Sequence, residues 1–121
     1  MATTQLINPA TGQELTTVAL LEAGDVDDAV ARAEVAQKRW AARPPAERAA
    51  ALRAFAAMVD AHVGELAALE VANSGHPVSA AEWEAGHVRD VLQFYSASPE
   101  RLSGSQIPVA GGLDVTFHEP I

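Results

Sequence analysis

Residues 111–121 read GGLDVTFHEPI, and the fold turns on how they are understood. Leu113, Val115 and Phe117 alternate with Asp114, Thr116 and His118, the period of a strand with one apolar face. Gly111-Gly112 reads as the turn that opens it. Ile107 to Val109 supply a partner strand, so residues 102–118 are expected to form a β-hairpin with its last strand running from Leu113 to His118. Pro108 has no N–H to give to a ladder, which puts its strand at a sheet edge. An apolar edge strand left open invites pairing with other chains. The segment is therefore expected either to dock on the hundred residues before it or to be completed by polypeptide outside this chain.

Working back from the hairpin, the pattern becomes helical. SAAE at residues 79–82 reads as a capping box, Ser79 with Glu82. It opens a helix to about Ala97 whose apolar residues are Trp83, Val88, Val91, Leu92, Phe94 and Tyr95. Before it, Pro45 suits a first helical position, and one helix is predicted from there to Asn73, roughly 40 Å at 1.5 Å per residue. Leu52, Phe55, Ala56, Val59, Val63 and Leu66 mark its buried stripe. Gly75 and Pro77 stop it. A further helix spans GDVDDAVARAEVAQKRW, residues 24–40, with Asp25, Asp27 and Asp28 in the turn where carboxylates complement the helix dipole. Residues 5–21 read as a first β-hairpin, its turn built from Asn8, Pro9 and Gly12. The predicted order is hairpin, three helices, hairpin.

Composition narrows the partners. The chain has 121 residues, enough for one domain. Its 16 acidic and 8 basic residues give a net charge of −8, and no basic stripe offsets this, which disfavours nucleic acid and anionic membrane. There is no cysteine, which excludes disulfides, thiolate metal sites and a cysteine nucleophile within these residues. No signal-peptide pattern and no apolar run of about 18 residues is present, so the cytoplasm is the expected location.

The residues that could carry chemistry do not form a motif. His62, His76, His87 and His118 are not spaced as paired metal ligands. Glu84-x-x-His87 is one Glu-x-x-His unit where a di-iron bundle needs two, together with two further glutamates, so a solvated helix face explains it better. His62 reads as a boundary residue. Gly111-Gly112 lacks the wider glycine pattern of phosphate binding. Trp40 and Trp83 read as core anchors. No catalytic, cofactor-binding or metal-binding residue is assigned.

Taken in order, however, the pieces resemble the N-terminal segment of the aldehyde dehydrogenase superfamily. INPATGQEL resembles that family's first hairpin, and DVDDAVARAEVAQKRWAARPPAERAAALRAFAAMV its first two helices. LAALEVANSGHPVSAAEWE, FYSASPERLSGSQIP and FHEPI follow in the family's order and spacing. The likeness covers about residues 6–121. It implies an α/β fold in which residues 1–102 are the N-terminal part of a dinucleotide-binding domain. Residues 103–121 would be an oligomerisation arm and the start of a strand returning to that domain.

The resemblance also implies a function: oxidation of an aldehyde to a carboxylic acid with NAD or NADP, by a homo-oligomer. A cysteine thiolate attacks the aldehyde, hydride passes to the cofactor, and water hydrolyses the thioester. The family's asparagine, cofactor-contacting lysine, glutamate base and cysteine fall beyond Ile121, so this segment is expected to be inactive alone and to bind no cofactor alone. The third helix would border the substrate entrance. Asn73 stands where some members place an aspartate that helps hold a structural monovalent cation, opposite Ile7, and its neutral oxygen implies a weaker site. His76 stands where a lysine is common. The expected partners are the remainder of the enzyme or sister subunits through residues 103–120, and a small aldehyde. The alternative is a stand-alone helical scaffold with an arm for subunit pairing and no catalysis.

Overall fold

The computed structural model describes residues 2–118. Its elements run β1 (Thr3–Ile7), β2 (Glu14–Ala19), α1 (Ala23–Ala41), α2 (Pro45–Ala61), α3 (Val63–Ser74), α4 (Val78–Ser96), a single turn α5 (Ser98–Arg101), β3 (Gln106–Val109) and β4 (Gly112–Val115). β1 and β2 form one antiparallel pair and β3 and β4 another. The first turn is built as its residues require. The Asn8 Oδ1 accepts from the N–H groups of Ala10 and Thr11, and Gly12 takes a φ of +70°.

α1 starts on a polar clasp: the Asp25 carboxylate accepts from the Glu22 N–H at 2.8 Å. It contributes no buried residue. Packing is concentrated where α4 lies against α2 and α3, with α5 against α2. The buried side chains there are small: Ala49, Ala56 and Val59 of α2, Ala67 of α3, and Ala81, Ala85 and Ser96 of α4. Alanine at these positions lets helices approach closely, but each buries little area, so the hydrophobic gain per contact is modest. Arg89 of α4 ties the layer to α2 through a 2.8 Å bond to Asp60 and also bonds Asp90, its neighbour.

Several expectations need correction. The single helix over residues 45–73 is two, broken at His62. There φ is −118° and ψ 15°, the His62 N–H donates to the Val59 carbonyl, and the His62 carbonyl starts α3 by accepting from Leu66. The Ser79–Glu82 capping box does not form. The Pro77 carbonyl accepts from Ala80 and Ala81, so α4 begins at Val78 and Ser79 lies inside its first turn.

The second hairpin turns at Ala110-Gly111 rather than Gly111-Gly112. Only Gly111 has positive φ, while Gly112 pairs with Val109 in the ladder. β4 ends at Val115 instead of His118, followed by one more link in which the Thr116 N–H donates to the Ser105 carbonyl. The start of a return strand falls on residues outside the described ones.

The expected core is also redrawn. Phe55, Leu66, Val88, Val91, Phe94 and Tyr95 are exposed, as are Trp40 and Trp83. Trp83 keeps 66% of its surface. Ala56 and Val59 are buried as expected, and Ala49, Ala67, Ala81 and Ala85 make up the rest of the contact. Pro108, as expected, sits in a strand with one partner among the described residues, and Val115 and Phe117 are not tucked beneath the helices.

Candidate functional site

The four histidines fall in four places. His62 ends α2, with Nδ1 2.9 Å from the Glu65 Oε2 and both side chains largely in solvent, so it is a boundary residue. His76, in the α3–α4 connection, has Nε2 3.3 Å from Glu84 Oε1 without hydrogen-bond alignment. His87 lies flat on Trp83, centroids 5.0 Å apart and planes 9° from parallel. Glu84 and His87 therefore face different partners, and the Glu-x-x-His unit holds nothing in common. Among the described residues no group of three or more His, Asp or Glu side chains could hold a metal ion.

His118 lines an open hollow with Trp40, Pro45, Arg48, Leu52, Pro99 and Leu102. The Arg48 Nε is shielded there and has no hydrogen-bond partner among the described residues. Trp40 carries the Arg43 guanidinium over its ring at 5.8 Å. Asn73 borders a second hollow with Leu6, Leu15, Leu66 and Glu70, where the first hairpin lies against α3. That proximity agrees with the expected neighbourhood of Asn73 and the first hairpin.

Among the described residues no glycine-rich turn joins a strand to a helix. The glycine-rich phosphate sites of nucleotide folds follow a strand and open a helix. Gly111 and Gly112 instead join two antiparallel strands, and the described sheets are two-stranded and antiparallel.

What the chain presents is apolar surface. A groove between α2, α3 and α4 is lined by Phe55, Val59, Leu66, Ala81, Ala85 and Val88, with Glu70 and Glu84 as its charged residues. α4 also exposes Trp83 and Phe94, the latter at 68%. The second hairpin exposes Ile107, Val109, Leu113 and Val115, and Phe117 beyond it is 77% exposed. Composition hid this surface, because the helical pattern marks which residues are apolar without saying which face finds a partner. Arg89 was also missed. Its link to Asp60 joins residues 29 apart in sequence, and no local spacing signals it. A hydrogen bond from Arg89 holds the Asp90 carboxyl below its ordinary range, and the bonds to Asp90 and Asp60 raise the guanidinium further above its own.

Helices packed through alanine and two antiparallel hairpins define an α/β segment with apolar side chains on its surface. The aldehyde dehydrogenase family matches residues 2–121, and the chain belongs to that family. It is 32% identical over 119 residues to the betaine aldehyde dehydrogenase of Cereibacter sphaeroides, covering 96% of this chain and 24% of that relative. A crystal structure of an NAD-dependent benzaldehyde dehydrogenase from Corynebacterium glutamicum superimposes with a TM-score of 0.86 at 28% identity, over 90% of this chain and 24% of that one. PnpE from Pseudomonas sp. WBC-3 superimposes with a TM-score of 0.85 at 32% identity, over 91% of this chain and 23% of that one. The chain thus spans about a quarter of the length of these relatives.

Proposed function

We propose that this chain supplies the N-terminal part of an NAD(P)-dependent aldehyde dehydrogenase, which oxidises an aldehyde to a carboxylic acid. The observation that carries the reading is the agreement of sequence family and backbone over nearly every residue. The substrates named for relatives, betaine aldehyde and benzaldehyde, support the reaction class and leave the particular aldehyde open.

Residues 1–102 contribute the hairpin and helices that complete a dinucleotide-binding domain, and residues 103–121 form an arm toward sister subunits. The cofactor and the nucleophile belong to other residues of the enzyme. The chain has no cysteine, so the thiolate step lies outside it. α4 borders the entrance for the aldehyde, and its outward Trp83–His87 stack is the aromatic surface available there. The open edges of β3–β4, with Ile107, Leu113 and Val115 exposed, support an arm that pairs with other polypeptide, and the family match over residues 2–121 favours the enzyme segment over a stand-alone scaffold.

The test is aldehyde-dependent NAD(P)+ reduction by the purified 121-residue chain and by a chimaera in which it replaces the matching segment of PnpE. The expected result is no reduction by the isolated chain and turnover by the chimaera. Turnover by the isolated chain, or a folded chimaera of native assembly without activity, would overturn the proposal.

A further inference from the structure

We draw no further inference here: the strongest candidate, the open hollow between α1, α2 and α5 where the Arg48 Nε is shielded without a partner among the described residues, adjoins His118, the last described residue, and nothing in the structure shows what covers it.

Discussion

Gly75 is where a single residue decides how two elements meet. It ends α3 with φ +75°, a left-handed conformation that costs an L-residue roughly 1–2 kcal/mol. A Cβ there would also lie 2.9 Å from the Pro9 side chain in the first turn. Gly75→Ala is therefore expected to destabilise the fold by about 1–2 kcal/mol, read as an earlier urea midpoint. Gly104 is similarly constrained, since a Cβ would overlap the Thr116 carbonyl oxygen at the root of the second hairpin. Both glycines are visible in the sequence. Only Gly75, followed by Pro77, carries a local signal of its role, because the Gly104 contact comes from residues twelve positions away.

Asp90 supplies a pH dependence at the same scale. Its folded-state pKa is lowered, chiefly by the Arg89 hydrogen bond. Its contribution to stability is therefore present above the unfolded carboxylate range and is lost as pH falls through the lowered folded value. Asp90→Asn is expected to reduce the difference between urea midpoints at neutral and strongly acid pH. Arg89 keeps its bond to Asp60 in that variant. An unchanged difference would show that the Asp90 pair contributes nothing.

At the scale of elements, α4 meets α2 through side chains too small to announce themselves as a core. Ala56 is 1% exposed whereas Ala57, its neighbour, is open to solvent. Ala56→Leu is expected to force the helices apart and cost about 1–3 kcal/mol, with Ala57→Leu close to neutral. Paired thermal denaturation curves check this, and equal stabilities would contradict the packing described. The helices were legible from their apolar periodicity, their prolines and Gly75. Their partners were not, because large residues such as Phe55 and Trp83 suggest a core that small residues such as Ala56 and Ala81 supply. The break at His62 was hidden because Val59, Val63 and Leu66 keep helical spacing across it. The Ser79 box failed because Pro77 started the helix earlier, making the motif local chemistry without the required backbone. The hairpins were legible from alternation and turn residues, but these place the second turn one position late and carry the last strand three residues too far, to His118 instead of Val115.

At the scale of the whole molecule, apolar groups dominate surfaces that a soluble monomer ordinarily keeps small. The groove at Phe55, Leu66 and Val88, the outward side of α4 and the second hairpin all carry them. The family was legible from the order of five short stretches, none of which is chemical. No catalytic site is assigned from the sequence because its four histidines fall in no paired metal-ligand or catalytic spacing. The central proposal is that these apolar surfaces are interfaces within a larger aldehyde dehydrogenase assembly. Sedimentation velocity of the purified 121-residue chain over a range of concentrations tests it most directly. The expected result is association that grows with concentration and weakens when Val115 and Phe117 are replaced by serine; a sharp monomer boundary at every concentration would contradict it.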